Sequence, residues 1–263
     1  MALAEFHFTS NNSLGRQISA MIIVPEKMPG PFSVLYLLHG MSDDHTAWTR
    51  WSNIDKYVEK LPLIVVMPDT ERGWYVNAAK DPSKKFESMI IEDLVPFIDS
   101  TFQTVGTREG RSIAGLSMGG YGALTLAIKH PDLFCAAHGF SSGFGRGWFV
   151  PTDDEFRLIF GDDPRGTDFD LTALATKVDV ATMPRISFDC GVDDFTLEAN
   201  RAVHKRFDDL EIPHTYTEYP GAHDWAYWNE HLLTALPGLL DAMGVTVEFD
   251  LDAYMSHRDS PVG

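Results

Sequence analysis

A chain of 263 residues that is 44% hydrophobic and 12% aromatic has the length and apolar content for one α/β domain and is not a disordered polymer. Its 38 acidic residues outweigh 21 basic ones, for a formal charge of −17, which argues against nucleic acid or anionic membrane as partners because both are bound through Lys and Arg. The two cysteines, Cys135 and Cys190, lie in apolar strand-like stretches with no Cys-x-x-Cys or Cys/His spacing, so buried free thiols are expected rather than a disulfide or a zinc site. The first residues, Met-Ala-Leu-Ala-Glu-Phe-His-Phe, carry no basic region and no apolar run of signal-peptide length. No apolar segment reaches the ~18–20 residues of a membrane span. The cytoplasm is the expected location.

In chain order, residues 4–9 and 17–24 read as an antiparallel hairpin joined through Asn11-Asn12-Ser-Leu-Gly15. Phe32 to Leu38 and Leu63 to Met67 are nearly continuous apolar runs, the mark of strands covered on both faces in a parallel sheet. Between them, Trp48 to Lys60 has a helical pattern with Ile54, Tyr57 and Val58 on one side. Phe86 to Phe102 is expected to be helical and kinked at Pro96. Ile113-Ala114 is a short strand running into Gly115-Leu-Ser117-Met-Gly119 and then a helix that ends near His130-Pro131, and Leu133 to Phe140 is a further strand.

Residues 141–182 change character, with short helices expected at Asp153–Phe160 and Asp170–Lys177, and fit a lid or cap inserted in a single domain spanning 1–263. The sheet resumes at Arg185–Cys190. An amphipathic helix from Thr196 to Leu210, a last strand from His214 to Tyr219 and a closing helix from Asp224 to Met243 complete the pattern. The tail from Val245 to Gly263 gives no readable pattern.

Gly-x-Ser-x-Gly between strand and helix is the context in which that motif has a mechanism. A serine on so tight a turn takes unusual backbone angles and draws helix and strand together, which the flanking glycines permit. A serine hydroxyl also needs a base to take its proton and a carboxylate to hold that base in one tautomer. The α/β-hydrolase fold supplies them in the order Ser, Asp or Glu, His, each on a loop after a strand. Ser117 is the candidate nucleophile. His223, in the Gly-bearing loop after the last strand, is the candidate base, while His39, His45, His138 and His214 are expected to be structural. Asp193 and Asp194 both follow the strand ending at Cys190, and only one of them can face the histidine. The amides of Met118, after the nucleophile, and of Met41, after His39-Gly40, are the candidate oxyanion donors.

Four motifs in order, Leu37-Leu-His-Gly-Met41, Gly115 to Leu124, Asp189-Cys-Gly-Val-Asp-Asp-Phe195 and Gly221-Ala-His-Asp-Trp225, resemble the esterase D family of α/β-hydrolases. That family includes tributyrin-type and feruloyl-type carboxylesterases and S-formylglutathione hydrolases. The resemblance runs from about Phe32 to Leu239. It implies an α/β-hydrolase fold, a mostly parallel sheet with helices on both faces and a small helical insertion over the site. It also implies a serine carboxylesterase acting on short acyl or aryl esters, a small-molecule substrate and no cofactor. Relatives read Cys-Gly-Thr-Glu-Asp-Phe where this chain has Cys190 to Phe195, which implies that Asp194 is the catalytic acid. S-formylglutathione hydrolases carry a Thr-Cys loop after His-Gly-Leu; here Met41 to Trp48 reads closer to the tributyrin-esterase branch.

Trp74, Tyr75 and Asn77 on a site-edge loop, Trp148 in the insertion, and Trp225 and Trp228 beside His223 are candidate substrate contacts, though aromatic residues in such places also serve core or lid packing. Asp43-Asp44-His45 has metal-binding residue types, but consecutive positions rarely converge on one ion, so no metal is expected. Thioesterase, acyltransferase and non-catalytic binding roles are the alternatives, and the sequence leaves a homo-oligomer open.

Overall fold

The computed structural model describes residues 1–145 and 154–246. Its centre follows from the continuous apolar runs: β3 (Ser33–Leu38), β4 (Leu63–Pro68) and β5 (Arg111–Leu116) are buried at every position. Strands covered on both faces require this. β6 (Ala136–Phe140) and most of β7 (Arg185–Gly191) are buried too. β1 (Ala2–Ser10) and β2 (Arg16–Val24) form the antiparallel hairpin at one edge, and β8 (His214–Tyr219) closes the other. The sheet order is β1-β2-β4-β3-β5-β6-β7-β8. β2 meets β4 antiparallel, and all pairings from β4 to β8 are parallel.

Helices cover both faces. On one, α1 (Ala47–Trp51), α2 (Ile54–Val58) and α9 (Trp225–Ala242) bury Trp48, Tyr57 and Leu236 against Leu35, Val65 and Phe140. On the other, α5 (Met118–Lys129) and α8 (Leu197–Asp209) pack Leu124 and Phe207 into a core with Tyr36, Ile113 and Phe188. α5 is buried along its whole length from Met118 to Ile128. This is the burial expected of a helix pressed against the centre of a sheet.

Two local expectations are corrected. Trp48 to Lys60 is not one helix: it breaks at Ser52-Asn53, where the Asn229 side-chain oxygen accepts from Asn53 N–H at 2.7 Å and from Tyr57 Oη at 3.1 Å. Phe86 to Phe102 is helical but runs as α3 (Phe86–Ser88), a π-helical stretch (Met89–Leu94) and α4 (Val95–Thr101). Proline has no N–H for the carbonyl one turn back. Pro96 leaves Glu92 in that position, and Asn12 Nδ2 donates to the Glu92 carbonyl at 3.3 Å. The irregularity therefore lies ahead of Pro96, in the widened turns.

Between β6 and β7, α6 (Asp154–Phe160) and α7 (Leu171–Leu174) join the core that contains β3 and β5 through Phe156, Phe160 and Leu171. Ala79 and Lys80 N–H donate to the Ile159 and Leu158 carbonyls at 2.8 and 2.9 Å, and Arg72 Nε lies 2.9 Å from both Glu155 oxygens. Both cysteines are free and buried. Among the described residues, no helix is long and apolar enough to cross a membrane.

Candidate active site

The turn between β5 and α5 places Ser117 at φ 52°, ψ −113°, a left-handed backbone rare outside glycine. Close approach explains the glycine after it: a Cβ on Gly119 would stand 2.5 Å from the Leu38 carbonyl oxygen, so the first turn of α5 touches β3 directly. Hydrogen bonds hold the strained residue on both sides. Ser117 N–H donates to the Phe140 carbonyl at 2.9 Å, and its own carbonyl accepts from Gly143 at 2.8 Å and Tyr121 at 3.1 Å. Strain of this kind costs on the order of 1–3 kcal/mol and persists where the surroundings over-determine it.

The loops after β7 and β8 meet above this turn. A Cβ on Gly191 would stand 2.3 Å from the Gly221 carbonyl, and Val192 and Asp193 N–H donate to the Tyr219 and Gly221 carbonyls, each at 2.9 Å. That contact brings His223 Nδ1 to 2.8 Å from Asp194 Oδ2 and His223 Nε2 to 3.0 Å from Ser117 Oγ. Facing a carboxylate, Nδ1 carries the proton; Nε2 is then the acceptor for the serine hydroxyl. Asp193 points to solvent, whereas Asp194 is 5% exposed. Burial alone would raise the Asp194 pKa. Hydrogen bonds from His223 and Thr196 N–H and the His223 charge outweigh it and hold the carboxyl below its ordinary value. Below this pair, Tyr227 Oη and His138 Nε2 donate to Asp189 at 2.7 and 2.8 Å, a buried polar floor.

His39 is structural in detail. Its Nδ1–H donates to the Gly40 carbonyl at 2.8 Å and Nε2 accepts from Thr70 N–H at 3.2 Å, which fixes the loop carrying Met41. A Cβ on Gly40 would lie 3.8 Å from Ser117 Cβ, so the loop runs beside the serine. Among the described residues, no carbonyl accepts from Met41 N–H or Met118 N–H.

The candidate substrate contacts divide. Trp74 is 3% exposed and, with Tyr121, Gly143, Phe144, Phe160 and Phe169, lines a cavity of about 440 Å³ counted with the open space at its mouth. Ser117, Asp194 and His223 are not in that lining; Gly143, bonded to the Ser117 carbonyl, connects the two places. Tyr75 departs from the expectation of substrate contact, being fully buried with Oη donating to the His39 carbonyl at 2.9 Å. Asn77 also departs from it, exchanging hydrogen bonds with Ser88 at 3.0 and 3.1 Å. Trp228 packs edge-on to His223 at 4.9 Å, and Trp225 stands between Trp228 and Trp48. Trp148 lies outside the described residues. Sequence reasoning missed Phe195, 62% exposed with its ring 4.4 Å from His223. Its signal was position, the residue directly after Asp194.

The sheet order and the Ser117–His223–Asp194 line on three loops define an α/β-hydrolase. A family model described as "Putative esterase" matches residues 11–239, and the chain belongs to that family. It is a hydrolase of carboxylic esters. It is 28% identical over 259 residues to an acetyl esterase of Caldicellulosiruptor saccharolyticus, covering 89% of this chain and 97% of the relative. Among solved structures, the Staphylococcus aureus fluorophosphonate-binding serine hydrolase F is similar with a TM-score of 0.83 and 27% identity, covering 91% of this chain and 98% of that one. An S-formylglutathione hydrolase of the same organism is similar with a TM-score of 0.81, the same identity and the same coverage.

Proposed function

We propose that the protein hydrolyses esters of short acyl or small aryl acids, of the acetyl or feruloyl type, through an acyl-enzyme. The observation that carries this reading is the unbroken line from Ser117 Oγ through the His223 ring to Asp194. His223 Nε2 takes the hydroxyl proton as Oγ attacks the ester carbonyl carbon, and Asp194 stabilises the resulting imidazolium. The Met41 and Met118 amides, with no other acceptor among the described residues, hold the oxyanion; each such donor is typically worth roughly 2.7–4 kcal/mol in the transition state. Collapse of the tetrahedral intermediate breaks the ester C–O bond, and the imidazolium protonates the departing alcohol. Water deprotonated by His223 then attacks the acyl carbon, releasing the acid and restoring Ser117. The aromatic lining beside Gly143 offers an apolar surface to the acyl group.

A thioester reading has one observation of its own, the similarity to the S. aureus S-formylglutathione hydrolase. Both readings are tested by one series: p-nitrophenyl esters from acetate to octanoate, methyl ferulate and S-formylglutathione. Preference for acetyl or feruloyl esters is expected. Ser117→Ala is expected to lower kcat by roughly 10⁶-fold and Asp194→Asn by roughly 10⁴-fold, by analogy with serine proteases. Asp193→Asn should retain wild-type turnover. An inactive Asp193→Asn beside a fully active Asp194→Asn would sink the assignment of the acid, and a strong preference for the thioester would replace the ester reading.

A further inference from the structure

A second cluster of chemically capable side chains lies at the opposite end of β8 from His223. His204 and Asp208 are one turn apart on α8, so they share a face. His214 opens β8 beside them. One ligand atom from each of the three lies within 4.8 Å of the others, and among the described residues no other group of His, Cys, Asp and Glu does this. Asp208 Oδ2 is 3.5 Å from His204 Nε2, and Asp208 Oδ1 is 3.9 Å from His214 Nε2.

The independent observation is the state of His214. Its side chain is 4% exposed, stacked on Phe188 and edge-on to Phe207. Its Nδ1 lies 2.8 Å from the Ile212 carbonyl, which can only accept. Nδ1 therefore carries the proton, and Nε2 presents a lone pair toward His204 and Asp208. A ring nitrogen pinned to a backbone carbonyl while the other faces outward is how proteins orient metal-binding histidines. In the free protein the His204 Nδ1 proton fills the gap, bonding His214 Nε2 at 2.7 Å.

We propose that His204, Asp208 and His214 form a binding site for a divalent transition-metal ion, with Zn²⁺ the best match to two imidazoles and one carboxylate. Nitrogen donors of this kind disfavour Mg²⁺ and Ca²⁺, which take oxygen ligands. Zinc bonds of about 2.0–2.2 Å in a tetrahedron set ligand atoms roughly 3.3 Å apart. His204 Nδ1 lies 2.7 Å and Asp208 Oδ1 3.9 Å from His214 Nε2, on either side of this spacing. On binding, the His204 Nδ1 proton moves to Nε2, beside Asp208, and water completes the shell on the exposed side. The acidic surface raises the local concentration of any cation. The six-residue strand holds the ion roughly 20 Å from the end that leads to His223. The ion therefore fastens α8 to the edge strand and takes no part in ester chemistry.

The test uses the full chain without an affinity tag, stripped with EDTA and titrated with ZnCl₂ by calorimetry in a non-chelating buffer. One ion per chain at micromolar affinity is expected, with a melting temperature raised by about 5–10 °C at a free-ion concentration of roughly 100 Kd. His204→Gln and Asp208→Asn, both on the exposed side, should each weaken binding at least tenfold while leaving p-nitrophenyl acetate turnover and the melting temperature in EDTA unchanged. Co²⁺ in place of Zn²⁺ should give the visible absorption of a four-coordinate site in the wild type and lose it in both variants. Absence of stoichiometric binding overturns the proposal. Binding that survives both substitutions also overturns it, because the ion then sits elsewhere, as at His223.

Discussion

Ser117 and Asp93 are two residues whose surroundings force them into states that free side chains avoid. Ser117 holds a backbone angle that disfavours any residue with a Cβ. Asp93 is a buried carboxylate that accepts from Ser10 Oγ at 2.7 Å, Ser13 Oγ at 2.5 Å and Asn12 N–H at 3.0 Å, tying the first hairpin to the π-helical stretch. Burial alone would raise its pKa, but the bonds from Ser13, Asn12 and Ser10 outweigh that and lower it. A folded pKa below the unfolded value of about 3.9 means that the unfolded chain binds the proton more tightly. The stabilisation is then complete above that value and is lost as pH falls through the folded one. Asp93→Asn is therefore expected to be less stable than the wild type at pH 7, with the gap in urea midpoint narrowing as the pH falls below about 4. A gap that stayed constant over that range would remove Asp93 from the acid response.

Legibility at this scale depended on distance along the chain. Ser117 and His223 were readable because each sits in a short motif whose neighbours explain it. Tyr75 was not: its partner, the His39 carbonyl, is 36 positions away and only the folded loop joins them.

Among the elements, α6 supplies one wall of the aromatic cavity proposed for the acyl group. Phe160 on α6 meets Trp74 at 5.4 Å, Tyr121 at 6.1 Å and Phe169 at 5.7 Å, an aromatic wall shared by the segment between β6 and β7, the loop after β4 and α5. Phe160→Ala should enlarge the cavity and move the preferred p-nitrophenyl ester from acetate toward hexanoate or octanoate, at a stability cost of about 3 kcal/mol. An unchanged chain-length profile in a folded variant would mean that the acyl group binds elsewhere. Strands were legible because burial on both faces writes a continuous apolar run. The break between α1 and α2 was not, since it depends on Asn229 reaching in from α9. The pairing of His214 with His204 was equally hidden, because its partner belongs to a helix whose facing toward β8 no local pattern states.

For the molecule as a whole, the charge of −17 sets up a field that opposes anionic substrates. Salt screens it, with a Debye length of about 10 Å at 0.1 M. Raising NaCl from 10 to 150 mM is expected to increase kcat/KM for an anionic ester severalfold and to leave neutral p-nitrophenyl acetate within about a factor of two, by analogy with electrostatically steered association. Equal responses from the two substrates would show that the site is shielded from the surface charge.

The line from Ser117 to His223 spans 106 positions and joins the middle of the sheet to loops beyond its last two strands. Contacts so distant in sequence form late, because loop-closure entropy is spent before they reward it. The centre of the sheet can therefore assemble while the protein is still chemically inert. In refolding, activity is therefore expected to trail the return of secondary structure.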